Sequence, residues 1–454
     1  EKDLNLLNTK VRDVYFWERI RFSVHKRLAE AHDVSESGNN NGESLNDYLQ
    51  GAKLLIQNIM RRNPLFSDSH NYLFYSTGRR KQLDDGLWWD IHIDSVIDEL
   101  SGGSLCFERP YEITHLNPPK TQHLRYTDFI QYLGTVLEKF GISKVSLTSD
   151  EKDTLQNIQN EIYHRFGVVL PIEELVVTNL SLRRVRLPLY KRAIKRVNPE
   201  VVFLTVSYDG RETFVEACQS VGIPVVELQH GVITKYHLGY SFPNTNKQVF
   251  PNYFFSFGEF WSDAVKLPLP EENVFPVGYP YLKKRKSEFD CSNRTDRLVV
   301  ISQPHSSTRL SKFAMAVSKS ERHKEGVVYK LHPKEYQNWE DQYPNLVDSD
   351  VTVSKGEPSL YELFATSTAQ VGVNSTALYE GLCFGLDTYI LDNSGWRYME
   401  YLVENDFVTL VSSIEEYFEK TNLCAEKETN FDKSYFFAQD PAKRLKKAIN
   451  TISK

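Results

Sequence analysis

Short β-rich runs that alternate with longer helix-compatible stretches constrain this chain more than any other feature, because that alternation is what a parallel sheet covered by helices requires. The cleanest instance is Val201-Val-Phe-Leu-Thr-Val-Ser207, then Tyr208-Asp-Gly-Arg211, a helix predicted over Glu212 to Ser220, a stop at Gly222 and the strand Val225-Val-Glu-Leu228. This is a βαβ crossover. Earlier runs at Tyr72–Tyr75 and Leu105–Phe107 belong to the same series. A second series runs through Leu298–Ile301, Val327–Leu331, Val351–Val353, Gln370–Val373 and Thr388–Leu391. The polar stretch Lys283 to Arg297 between them reads as an interdomain linker.

The expected architecture is α/β, with two Rossmann-like domains facing a central cleft. Residues 66–282 form the first domain and 298–439 the second, with 283–297 as linker and 440–454 as a closing helix opened by Pro441. Residues 11–31 and 45–62 carry apolar side chains at helical spacing on either side of the loop Ser35–Ser44, so residues 1–65 are expected to be a helical accessory segment.

Charge narrows the partners. Among 454 residues, 54 Lys and Arg oppose 60 Asp and Glu, a net charge of −6 that lacks the basic field of a nucleic-acid binder. Five scattered cysteines show no CxxC pair, so neither a disulfide framework nor a zinc cluster is expected. No apolar run approaches the roughly 20 residues that span a bilayer, and the polar start Glu1–Asn8 does not read as a secretory signal. The expectation is a cytoplasmic location. The run Arg183–Arg196 holds seven cations and no acid among apolar residues, which suits peripheral contact with the inner face of a membrane or with an acidic acceptor; as a solvated helix face it needs neither.

In an open α/β sheet ligands sit beyond the carboxyl ends of strands, so candidate residues are sought there. His332, in Tyr329-Lys-Leu-His-Pro-Lys334, ends one strand and could donate a hydrogen bond or charge to a leaving phosphate, with Lys334 beside it. A backbone-satisfied strand-end histidine is the plainer account. Asn374-Ser375-Thr376 leads a buried strand into a helix whose unpaired amides make a phosphate cradle, and Glu380, one turn on, could hold ribose hydroxyls; ordinary Ser or Thr capping explains the same residues. Gln229-His230-Gly231 with Lys235 follows the strand Val225–Leu228, and Asp209 with Arg211 follows Val201–Ser207. His230 or Asp209 is the candidate base, and an Asp-Gly turn is the alternative for Asp209. Glu357 follows a further strand and could line the nucleotide pocket; a loop that merely starts the next helix explains it equally well. Asp84-Asp85-Gly86 reads as a solvated turn, and Asp348-Ser-Asp350 precedes its strand, so no metal is assigned.

The order of these motifs resembles GT-B transferases of surface-polysaccharide synthesis that use cytidine-activated donors: bacterial sialyltransferases, capsule Kdo transferases and teichoic-acid glycerophosphotransferases. The resemblance covers roughly residues 200 to 410. It rests on His332-Pro333, on Ser375-Thr376 and on His230-Gly231 followed by Lys235. Asp209-Gly210 matches only the last two positions of the acidic-acidic-Gly motif of sialyltransferases. The chain departs from glycerophosphotransferases at Asn374-Ser375-Thr376 and at Gln303-Pro-His-Ser306.

The resemblance implies a GT-B-like fold and metal-independent glycosyl transfer without a cofactor. The donor would be CMP-linked, sialic-acid- or Kdo-like, and held by His332, Ser375 and Thr376. The acceptor would be a glycan or lipid-linked saccharide activated by His230 or Asp209. Domain closure across the linker would exclude water. The alternatives are a CDP-alcohol phosphotransferase, a nucleotide-sugar epimerase that acts on its donor alone, and a non-catalytic carbohydrate-binding protein.

Overall fold

A computed structural model describes residues 1–32, 56, 61–111, 114–242, 247–320, 323–393, 395–424 and 432–453. Seven strands form the first sheet: β1 (Tyr72–Ser76), β2 (Ser104–Glu108), β3 (Leu124–Tyr126), β4 (Val201–Leu204), β5 (Val225–Leu228), β6 (Tyr253–Ser256) and β7 (Val274–Pro276). Six form the second: β8 (Thr295–Ile301), β9 (Val327–Lys330), β10 (Thr352–Ser354), β11 (Ser367–Gly372), β12 (Asp387–Leu391) and β13 (Thr409–Val411). Every pairing within the two sheets is parallel.

The spatial orders are β3-β2-β1-β4-β5-β6-β7 and β10-β9-β8-β11-β12-β13. Strand order therefore reverses between β1 and β4 in one sheet and between β8 and β11 in the other. At such a reversal the two flanking loops turn away to opposite faces and leave a crevice, which is where α/β sheets bind ligands. The strands form because apolar runs such as Leu73–Tyr75, Val201–Leu204 and Leu298–Ile301 are buried on both faces by helices. Two Rossmann-like domains are thus present.

In the accessory region the first expected helix is present from Trp17. A two-stranded ribbon, Lys10–Val11 with Val14–Tyr15, precedes helix α1 (Trp17–Ala31). The second expected helix, 45–62, lies outside the described residues except for 56, 61 and 62. Helix α1 buries Trp17, Ile20 and Val24 against Leu155, Ile158 and Val176, on a pair of helices beside the first sheet. Those two are α3 (Ser149–Phe166), opened by a Thr148–Glu151 capping box, and α4 (Ile172–Val197). Helix α2 (Asp128–Lys139) packs beside α4, and α5 (Glu212–Ser220) follows β4.

The stretch expected as a linker is partly helical. Pro280 opens α6 (Pro280–Ser287), whose Tyr281 and Leu282 are buried, and β8 already begins at Thr295. The two sheets also share an apolar core: Trp261 packs 4.7 Å from Tyr379 and Phe260 5.5 Å from the same ring. Helix α7 (Thr376–Phe384) supplies Tyr379. The chain then returns to the first sheet, where α8 (Pro441–Ile452) buries Leu445, Ala448 and Ile449 against Phe74, Cys106 and Phe255. Among the described residues no helix is long and apolar enough to cross a membrane.

Candidate functional site

The reversal point of the first sheet opens into a cavity of about 440 Å³. It is lined from the loop after β1 by Thr77, Arg79, Arg80 and Lys81, from the next segment by Trp89, Asp90 and His92, and from the loops after β4 and β5 by Thr205, Tyr208, Asp209, Arg211 and His230. Phe22 of α1 closes one wall, its ring 5.3 Å from that of Tyr208. The loop after β1 reaches the cavity through Gly78, whose φ is +77°. A β-carbon there would fall 2.3 Å from the Arg109 carbonyl oxygen, so only glycine permits this turn.

Beneath that wall lies a buried charge network. Arg80 donates to Glu108 at 2.7 Å and to Asp94 at 3.1 Å, Ser76 donates to Asp90 at 2.6 Å, and the His115 ring sits between Glu108 (2.8 Å) and Asp128 (3.0 Å). Burial pushes Asp94 up to about 6 against the pull of Arg80. His115 is raised: its two carboxylate partners outweigh the burial that opposes its charge. Four carboxylates, the Arg80 guanidinium and the His115 ring thus lock this floor.

The imidazoles at the cavity are neutral near pH 7. Burial lowers His92 to about 4 and His237 to about 4, and it holds His230 well below its ordinary value with help from His92, His237, Arg211 and Arg79. The His92 and His230 rings lie 6.3 Å apart. Behind His230 the Tyr240 hydroxyl is 3.3 Å from Nδ1 and donates to Glu227 Oε1 at 2.6 Å; the Ser207 amide donates to the same oxygen at 3.3 Å. Burial raises Glu227 to about 7.

Across the cleft, the reversal point of the second sheet is knitted shut. Gln303, after β8, accepts from the Asn374 amide at 2.9 Å and donates to the Asn374 side chain. Ser375 caps α7 by accepting from the Ala377 amide at 3.2 Å. The two domains meet here, for a β-carbon at Gly231 would lie 3.5 Å from Thr376 Oγ1. Lys330, at the end of β9, donates to Ser354 (3.1 Å) and to the carbonyls of Lys355, Gly356 (3.3 Å) and Pro358 (3.0 Å). Burial lowers its pKa to about 8, with Lys81 of the opposite wall adding to the effect. Glu380 is buried, and burial raises it to about 7 although Tyr361 and Lys81 stabilise its charge.

The structure brings His230, Asp209 and Arg211 together in one cavity, with Gly231 and Thr376 in apposition. It assigns other duties to several expected ligands. His332 caps the turn Pro333–Glu335, its Nδ1 accepting from the Lys334 amide at 3.2 Å. Lys334 is exposed. Gln229 donates to Gly231 O and accepts from the Phe257 amide, which braces the loop. Lys235 pairs with Glu400 at 2.5 Å and ties the domains together at the rim. Ser375 and Asn374 use their side chains internally, and Glu380 is too buried to reach a ribose freely. Glu357 is exposed on the Lys355–Pro358 loop, where its charge is felt by Lys81 and Lys330.

The basic run is likewise part structural. Arg183 pairs with Glu216, Arg186 donates to Gln131 O and Thr135, and Arg196 donates to Ser67 O. Sequence reading missed Arg79, Lys81, Asp90, His92, Glu227 and Tyr240. The signal for the first two was legible as Gly78 followed by Arg-Arg-Lys directly after a strand.

No family model matches the chain, and no curated protein matches it either. Solved structures share the fold. A protein described as a UDP-N-acetylglucosamine 2-epimerase from Listeria monocytogenes is 12% identical and aligns over 84% of this chain and 96% of its own, with a TM-score of 0.50. The UDP-GlcNAc 2-epimerase of Neisseria meningitidis, solved with UDP-GlcNAc, is 14% identical over 84% and 99%, with a TM-score of 0.48. A spinosyn rhamnosyltransferase is 10% identical over 84% and 96%, with a TM-score of 0.41. Such identities establish architecture. The expectation of transfer from a CMP-linked donor is corrected here: the solved structure that shares this fold at a TM-score of 0.50 is described as a UDP-N-acetylglucosamine 2-epimerase. What the chain shares with them is a GT-B-like fold of two Rossmann-like domains about one cleft.

Proposed function

We propose that the chain is a sugar-nucleotide epimerase, which inverts a carbon of a nucleotide-linked sugar and needs no separate glycan or lipid-linked acceptor. The observation that carries this reading is the grouping of His92, His230, Asp90 and Asp209 around one cavity. Inverting a carbon requires one group to take a proton and a second to return one to the other face. Neutral imidazoles and cavity-facing carboxylates supply that pair. Arg79, Lys81 and Arg211 offer charge to a diphosphate, and the start of α7 at Ser375–Thr376 offers backbone amides. No metal is called for in this scheme.

UDP-N-acetylglucosamine is the first substrate to try, given the names of the structural neighbours. Incubated alone with the protein in D₂O, it should yield a second sugar nucleotide with deuterium at the inverted carbon. Failure of uridine, guanosine and cytidine diphosphate sugars both to react and to raise the melting temperature would end this reading.

A further inference from the structure

Glu227 sits in the middle of β5, buried, with no part in the cavity lining, yet it is joined to His230 through one hydroxyl. Hydrogen-bond counting fixes what that join does. An ionised carboxylate only accepts, so Tyr240 must spend its O–H on Glu227 Oε1 at 2.6 Å. The Tyr240 oxygen, 3.3 Å from His230 Nδ1, then has only lone pairs to offer, and Nδ1 must carry the imidazole proton. Nε2 is left bare as a base. A protonated Glu227 reverses every donor: it donates to Tyr240, Tyr240 donates to Nδ1, and Nε2 carries the proton as an acid.

Resting on the epimerase reading for its substrate, we infer that Glu227 and Tyr240 are positioning residues that form a proton wire, switching His230 between base and acid while its ring stays neutral. When a sugar C–H bond breaks, its electron pair stays with the substrate and Nε2–H forms. The Nδ1 proton passes to the Tyr240 oxygen as the Tyr240 proton passes to Glu227. The reverse sequence delivers a proton from Nε2.

The surroundings suit this traffic. His230 is faced by His92, His237, Arg211 and Arg79, none of which favours an imidazolium. Glu227 is faced by the Ser207 amide and hydroxyl, by Tyr240 and Tyr208, and by the buried Lys247. Its titration near 7 lets it both take and release a proton under neutral conditions.

The test reads the tautomer directly, by ¹⁵N–¹H correlation of histidine-labelled protein. His230 is picked out of the 12 histidines by subtracting the His230→Asn spectrum. In the wild type, His230 should be the neutral Nδ1–H tautomer at about pH 8.5 and the neutral Nε2–H tautomer at about pH 5.5. Glu227→Gln, which keeps the shape but cannot take up the proton, and Tyr240→Phe should each abolish the pH-driven exchange. One fixed tautomer in the wild type, or an unchanged exchange in a folded Glu227→Gln, overturns the wire.

Turnover separates the two readings. Glu227→Gln should lower kcat about 100-fold with KM little changed and should erase the limb of the pH–kcat profile near 7. Tautomer exchange in a wild type that turns over no sugar nucleotide would leave the wire standing and remove the epimerase.

Discussion

At the cleft edge of the first sheet, the loops after β1, β4 and β5 leave Arg79, Lys81, Asp209 and His230 facing a cavity. At the edge of the second sheet, the loops after β8, β9 and β11 turn inward: Gln303 and Asn374 bond each other, Ser375 and His332 cap their own turns, and Lys330 serves one loop. The same strand order thus yields two different surfaces. One keeps reactive side chains available, and their floor is held by Arg80, Glu108, His115 and Asp128. The other spends its side chains on rigidity and offers mainly backbone. A rigid backbone edge suits binding of a nucleotide diphosphate, whereas available side chains suit proton transfer.

Substitutions can break this contrast, and the largest effect belongs to the first edge. His230→Ala should cut turnover about 10²- to 10⁴-fold while the circular dichroism spectrum stays unchanged. On the opposite edge the cost should appear as stability. Lys330→Met strands the carbonyls that hold the Lys355–Pro358 loop, and denaturant unfolding should show a loss of roughly 2–4 kcal/mol.

Glu380 gives a signed pH test. Its pKa is about 7 in the folded chain against an ordinary 4.5, so its contribution is whole below pH 4.5 and is lost as pH rises through about 7. Glu380→Gln should therefore gain on the wild type across that window, by of order 1–3 kcal/mol in urea unfolding at a series of pH values. The smallest effect is expected from Ser375→Ala. It removes the cap of α7 for about 1 kcal/mol, a fall of roughly 2–4 °C in melting temperature, and should change turnover only a few-fold. A large fall in turnover there would give that hydroxyl a direct part in binding and weaken the contrast.

Much of the first edge is legible in the amino-acid sequence. Asp209, Arg211 and His230 follow clear strands, and strand ends are where such sheets bind ligands. Glu227 and Tyr240 are not legible there, because a glutamate inside an apolar strand carries no local sign of its partner. The hydroxyl that engages it comes from a loop 13 residues away. His332 carries less information: its place after a strand and before Pro333 suits a ligand and a cap equally, and only the structure shows that its Nδ1 accepts from the Lys334 amide.

The sequence by itself determined two parallel sheets and the loops that flank their strands, since apolar runs and Gly or Pro stops act over a few residues. Tertiary structure alone decided which of those loops share a cavity, that an apolar core around Trp261 and Tyr379 joins the domains, and which polar groups are already paired. Pairing and burial depend on neighbours that are distant in the chain. Those neighbours fix which ring nitrogen of a histidine is already engaged and how strongly burial opposes its charge.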